Sequence, residues 1–203
     1  MAERRSPLAL VVLALLAERP MHPYLMFQLI NQRGKTAIVN ISQRNSLYQV
    51  IDRLVRDGLA EVDTTERAEN RPERTVYRIT TLGEDTIKRW VLEMISAEKQ
   101  EYPAFPAALS LLALVPPAEA RRALAERRNT LVERQDAASA SLAETNLMGL
   151  PRLFLLDDEY AIAMRTAEVA WLDGVLEQLA TGELDWSAEW IAEIAAQFEP
   201  PAT

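Results

Sequence analysis

The apolar positions of this chain change period as it runs, and the changes mark its elements. Leu8 to Ala17 is an unbroken apolar run, read as a buried first helix; Arg19-Pro20 ends it, because the residue before a proline is pushed towards extended backbone. His22-Pro23 restarts the chain, with proline suited to a first helical turn whose N–H groups have no intrahelical partner, and the spacing predicts a second helix from Pro23 to Arg33. Leu25, Met26, Leu29 and Ile30 share one of its faces, and Gly34 closes it. Beyond a loop through Val39 and Asn40, Ser42 is placed to cap a third helix, in which Leu47, Val50, Ile51, Leu54 and Val55 recur at three- and four-residue intervals before Gly58. Leu59 to Thr64 and Arg74 to Thr80 are strand candidates on either side of the polar stretch "TERAENRPE". Thr81-x-x-Glu84 reads as a capping box that opens a long fourth helix through Trp90, Met94 and Ile95.

The second half has a different grain. "YPAFP" and "VPPAEA" are proline-bearing joints, and residues 117 to 144 predict a long helix on which Ala120, Leu124, Leu131, Gln135, Ala138 and Leu142 recur near a heptad. Gly149-Leu150-Pro151 breaks it, and a second long helix is expected from Asp157 to Ala180. That helix carries two apolar stripes: Tyr160, Met164, Ala167 and Trp171 on one, Ile162, Val169, Leu172, Leu176 and Leu179 on the other. A helix packed on one flank needs a single stripe, so one is expected to serve its own domain and one a partner. Which does which stays open at this point, and Ile162 and Val169 stand beside Tyr160, Met164, Ala167 and Trp171 as candidate interface residues.

Composition removes most enzymatic chemistry. At 203 residues and 49% hydrophobic the chain can bury a real core in one large domain or two small ones. Having no cysteine, it has no disulfide framework, zinc–thiolate site or thiol nucleophile, and cytoplasmic residence fits. A single histidine, His22, would have to carry any serine-type triad alone, and capping a helix is the commoner use for a histidine placed there. None of the six glycines falls at the spacing of a phosphate cradle. Asp157-Asp158-Glu159 suits the positive end of a helix better than a metal, so neither metal nor cofactor is expected. Arg4 and Arg5 before an apolar run look superficially like a secretory signal, but ten apolar residues are too few to span a bilayer and Leu15-Leu16-Ala17 is no cleavage site, so no membrane role is expected.

Charge divides where the grain changes. Residues 1–90 hold 14 Lys/Arg against 11 Asp/Glu, a balance of +3, whereas residues 91–203 hold 8 against 19, a balance of −11. Such asymmetry fits one part facing a polyanion and another staying soluble beside it.

Three helices, a two-stranded hairpin and a fourth helix, in that order, make the layout of a winged helix-turn-helix, with the third helix in the major groove and the hairpin at the flanking backbone. The expected fold is therefore mainly α: a winged helix-turn-helix domain over residues 1–96 and an α-helical dimerisation and effector domain over residues 97–203. Gln43, Arg44, Asn45, Tyr48, Gln49, Asp52, Arg53 and Arg56 stand outside the apolar stripe of the third helix or at its boundary, and the candidate contacts are Gln43, Arg44, Asn45, Ser46, Tyr48 and Gln49. Arginine pairs with guanine edges or phosphate, asparagine and glutamine match adenine's donor–acceptor pattern, and serine and tyrosine hydroxyls bond phosphate oxygens. Arg67, Arg71 and Arg74 put positive charge on the hairpin arm.

Three landmarks in order resemble the PadR family of bacterial transcriptional regulators. They are "MHPYLM" at 21–26, "NSLYQVIDRLVRDGL" at 45–59 and "RPERTVYRITTLG" at 71–83; Pro23 and Asn45 occupy usual glycine positions of the family, and Val76 a common aromatic one. The resemblance spans roughly the first 90 residues. More loosely, "EYPAFPAAL" and "LPRLFLLDDEYA" are similar to the helical region that the family uses for homodimerisation. Together these imply a cytoplasmic, homodimeric DNA-binding repressor, not an enzyme, released from an inverted-repeat operator of double-stranded DNA by a small-molecule or other signal. Trp90 and Trp171 are the flat aromatics suited to line an effector pocket, with packing in a core or interface the commoner use of such residues. The five arginines between residues 121 and 134 read as a solvated face. Two other classes stand beside this reading: a helical protein-interaction module whose winged helix binds protein, and a small enzyme, which would need a catalytic group beyond His22 and scattered carboxylates.

Overall fold

The computed structural model describes residues 5–41, 44–66, 74–98 and 100–198. Contacts divide the chain into two compact units, Met1–Gln100 and Glu101–Thr203.

In the first unit, α1 (Pro7–Glu18) is capped by the Ser6 hydroxyl, which accepts from the Ala9 N–H at 3.2 Å, and it buries Leu8, Ala9, Val12, Leu13, Leu15 and Leu16. Apolar nearly all round, it forms the axis of the core, as its sequence requires. Helix α2 (Pro23–Gln32) buries Met26 and Ile30, and α3 (Arg44–Arg56) buries Leu47, Val50, Ile51 and Leu54. The end of α3 is set by Gly58 at φ 72°: the Leu59 N–H reaches back to the Leu54 carbonyl at 2.8 Å and the Gly58 N–H to Val55 at 3.0 Å, a closure that needs a left-handed residue. The expected Ser42 cap lies outside the described residues.

Strands β1 (Ala60–Glu66) and β2 (Arg74–Ile79) pair antiparallel, Ala60 opposite Ile79 and Glu66 opposite Arg74, with a bulge between Val62 and Thr64. The other edge of β2 is also held. Tyr77 exchanges backbone hydrogen bonds with Met21 at 3.0 and 3.1 Å, so the segment between α1 and α2 anchors the hairpin to the core.

Helix α4 (Thr81–Ser96) corrects the predicted capping box by one residue. Its cap is Thr80, whose hydroxyl accepts from the Gly83 N–H at 3.0 Å and donates to the Gly58 carbonyl at 2.7 Å. The third helical position is then Gly83, so no reciprocal Glu84 contact closes a box. Thr80→Ala is expected to cost about 1 kcal/mol, read from the urea midpoint, since one cap bond and one tie to the α3 closure go together.

The second unit is helical: α5 (Ala104–Leu109), α6 (Pro117–Leu147), α7 (Leu156–Thr181) and α8 (Ala188–Gln197). Helices α6 and α7 lie antiparallel, tied by Arg127–Glu168 at 2.6 Å and Arg128–Asp173 at 2.8 Å. These pairs correct the reading of the arginines of 121–134 as a solvated face: two of the five bridge to α7, and Arg127 also lies 3.7 Å over the Phe105 ring. Among its described residues this unit buries only Ala120, Leu124, Leu155 and Leu172, a thin core for about a hundred residues. No helix among the described residues is long and apolar enough to cross a membrane.

Candidate nucleic-acid interface

Helix α3 has one face tied to the core and one left to solvent. With Leu47, Ile51 and Leu54 each at 1% exposure, its rotation is fixed, and the residues between them must point outward. Asn45 and Gln49 are exposed, Ser46 is half-buried, and Tyr48 is 49% exposed. These four therefore share one end of one helix. Arg44 opens α3. Its side chain, together with Gln43, Arg67 and Arg71, lies outside the described residues.

Further along the helix the side chains do structural work. Arg53 turns in and donates to the Ser6 hydroxyl at 3.3 Å, whereas Arg56 is exposed in the last turn. Where α3 meets the hairpin, Tyr48 and Asp52 face Tyr77: burial pushes the Tyr77 phenol above its ordinary value, and the charges of Asp52 and Tyr48 push it further. Asp52 and Tyr77 were not candidates on sequence grounds. The signal that could have found Tyr77 is its place at the centre of the second strand, where one side chain in two faces the helix.

On the hairpin, Arg74 is exposed at the start of β2. Arg78 bonds Glu61 at 2.7 Å and Asp63 at 3.5 Å, so it offsets about half of the charge of two carboxylates of β1 at the bulge. That matters electrostatically, because β1 would otherwise present unrelieved negative charge beside a basic helix.

The remaining candidates are placed as follows. His22 caps α2: its Nδ1 accepts from the Leu25 N–H at 3.1 Å, and its ring stacks near Tyr24. Asp157, Asp158 and Glu159 occupy the first turn of α7, and Glu159 is bonded by Arg152 at 2.9 Å, which holds its carboxyl below the usual carboxylate range. Among the described residues no group of acids or histidine could hold a metal ion. Trp90 is 2% exposed and fills the core of the first unit, so it does not line an open pocket. Trp171, 47% exposed, meets Phe105 edge to face at 6.2 Å and lines a shallow cavity of about 380 Å³ in the second unit.

On α7 the two stripes separate. Tyr160, Met164 and Trp171 are 67, 52 and 47% exposed, with Ala167 exposed between them. Ile162 and Val169 are half-buried on the side that holds Leu172 fully buried.

Comparison with known proteins gives a consistent picture. Residues 12–89 match the family model described as "Transcriptional regulator PadR-like family". No curated protein matches the sequence significantly. Among solved structures, Bacillus subtilis PadR in complex with operator DNA superposes with a TM-score of 0.70 at 14% identity, covering 86% of this chain and 99% of that one. The same protein in complex with p-coumaric acid gives 0.69 at 14% identity, covering 85% and 98%. The Vibrio cholerae virulence activator AphA gives 0.66 at 21% identity, covering 86% and 98%. At such identities these likenesses establish a shared fold.

Proposed function

Because the chain carries a PadR-like transcriptional-regulator domain over residues 12–89, we propose that it is a homodimeric, winged-helix DNA-binding repressor that leaves an inverted-repeat operator when a small molecule or other signal reaches its helical unit. The observation that carries the reading is the division of α3 into a buried stripe and an exposed end bearing Asn45, Ser46, Tyr48 and Gln49. A helix held so firmly on one side presents the other as a rigid template, which is what a base-edge reader requires. Arg44 precedes this set on the same helix and adds positive charge at the same end.

The hairpin serves as the flanking arm, with Arg74 as a phosphate contact, Arg71 assigned the same role on sequence grounds alone, and Arg78 reducing the repulsion from β1. Two such heads joined by their helical units turn the second half-site contact into a nearly intramolecular event. The likeness to a regulator solved with operator DNA and with p-coumaric acid supports both the DNA target and the existence of an effector. Release by the signal fits a repressor.

A gel-shift series on DNA from upstream of the chain's own gene tests the assignment. Arg44→Ala and Gln49→Ala are each expected to weaken specific binding by roughly 1–3 kcal/mol. Near-parental affinity in both, with unchanged circular dichroism, would remove α3 from the groove, and an absence of salt-sensitive DNA binding in the parent would favour a protein-binding module. Arg74→Ala is expected to act differently: it lowers affinity for specific and random DNA alike and reduces the log–log salt slope by roughly one. A slope equal to the parent's would mean that this part of the hairpin does not touch the backbone.

A further inference from the structure

Beneath α5 the second unit holds a slot of about 350 Å³ whose chemistry differs from one end to the other. Its floor is Ala120, Ala123 and Leu124 of α6, and its roof includes Phe105 and Leu109 of α5, with Leu112 and Val115 beyond. Between its ends the lining side chains are apolar. The two charged residues of the lining are Glu119 and Arg127. They are eight residues apart on α6, so they stand about 12 Å apart along the axis at about 1.5 Å per residue. The far end is pinned by Trp186, whose indole N–H donates to the Val115 carbonyl at 2.9 Å.

Arg127 is already oriented. Its Nε–H donates to Glu168 Oε1 at 2.7 Å and its Nη2 lies 2.6 Å from the same oxygen, while the guanidinium rests over the Phe105 ring. Among the described residues Nη1 has no acceptor, so an incoming anion can be met without breaking the pair with Glu168. A guanidinium flattened on an aromatic face presents its edge to a carboxylate at little entropic cost. Glu119 at the opposite end repels the same headgroup and so fixes its direction. An extended chain advances about 1.2 Å per single bond, so a 12 Å slot is filled by about ten bonds.

We propose that this slot binds a medium-chain aliphatic monocarboxylate, its headgroup on Arg127 and its tail running under α5 towards Leu112 and Val115. The proposal names the effector class for the repressor reading above and rests on that reading only for its consequence, release of DNA. The binding itself is tested separately.

The experiment is calorimetric titration of the full-length protein with n-decanoate below its micelle concentration. One saturable site per chain is expected. Shortening the ligand to octanoate is expected to weaken it by about 15-fold, at about fourfold per methylene removed. Lengthening to dodecanoate brings no further gain, because the slot ends at Glu119. Methyl decanoate, which lacks the charge, and Arg127→Gln are each expected to lose at least about tenfold. Glu168→Gln keeps the guanidinium and an amide oxygen that can accept from it while removing the partner's charge, and is expected to retain affinity within about threefold of the parent.

Affinity that keeps rising through dodecanoate would indicate detergent-like adsorption and overturn the proposal. So would equal binding of the ester, a loss in Glu168→Gln as large as in Arg127→Gln, tighter binding of benzoate than of decanoate, or no saturable heat. Decanoate that binds with the expected length dependence yet leaves a DNA complex intact would keep the site and sink the release mechanism. A parent that fails to bind DNA at all would sink the repressor reading and leave the ligand site standing.

Discussion

Replacing Met164 and Trp171 together by glutamate is expected to turn the protein into a monomer whose binding to specific DNA is roughly 10²–10⁴-fold weaker, the range set by loss of a linked second contact. Both side chains are about half exposed, so charge placed there does not enter the core of the α6–α7 pair. The argument for an interface is the imbalance of the second unit. Among its described residues it buries four apolar ones, yet Leu147, Met148, Leu153, Phe154 and Tyr160 are all more than half exposed at and beside the α6–α7 turn. Monomeric proteins rarely leave so much apolar surface to water, and a unit with so small a core gains most by covering it with a second copy. Sedimentation of the parent and the double variant, with circular dichroism to check helicity, decides the matter. A parent that sediments as a monomer at micromolar concentration would remove both the interface and the two-headed mechanism. Truncation after Ser96 is expected to give a monomeric head with poor discrimination and raised affinity for random DNA, because the removed residues 97–203 hold 8 Lys/Arg against 18 Asp/Glu, a balance of −10 that repels phosphate.

The second large effect is on stability. Gly83→Ala is expected to destabilise the first unit by about 2–4 kcal/mol, since overpacking against backbone cannot be relieved by a change of rotamer. A methyl built at Gly83 would stand 2.1 Å from the Leu59 carbonyl oxygen and 2.7 Å from the Ile79 side chain. The first turn of α4 therefore rests directly on the residue that follows the α3 closure, and any side chain there pushes α4 off the hairpin. For a unit of about a hundred residues this corresponds to a fall of roughly 10–20 °C in the unfolding midpoint. Gly174→Ala makes a control, because a Cβ there meets nothing within 4 Å. A Gly83→Ala midpoint within 2–3 °C of the parent, on the scale of about 4–8 °C per kcal/mol, would show that the contact relaxes freely.

The elements of the first unit were legible in the chain because their signals are local. Proline before α2, glycine after α3 and three- and four-residue apolar spacing act within one or two turns, and they also determine which face of α3 is left for Asn45, Tyr48 and Gln49. Helices α5 and α8 lay beyond those predictions. The first has six residues, preceded by Pro103 and holding Pro106 in its first turn, too short for a period to show, whereas α8 did carry a signal in Ser187, which caps Trp190 at 3.2 Å ahead of Ile191 and Ile194.

Tertiary structure decided everything that depends on a distant partner. Thr80 and not Thr81 caps α4, because the helix must start where Gly83 can meet the Leu59 carbonyl. Trp90 and Trp171, alike in sequence context, separate into core and surface according to what their helices pack against. Arg127 became an oriented guanidinium through Glu168, 41 residues away, and Phe105 beneath it. The outward stripe of α7 was chosen by the position of α6. Periodicity states that a helix has two apolar sides; only the neighbour that covers one of them leaves the other for a partner.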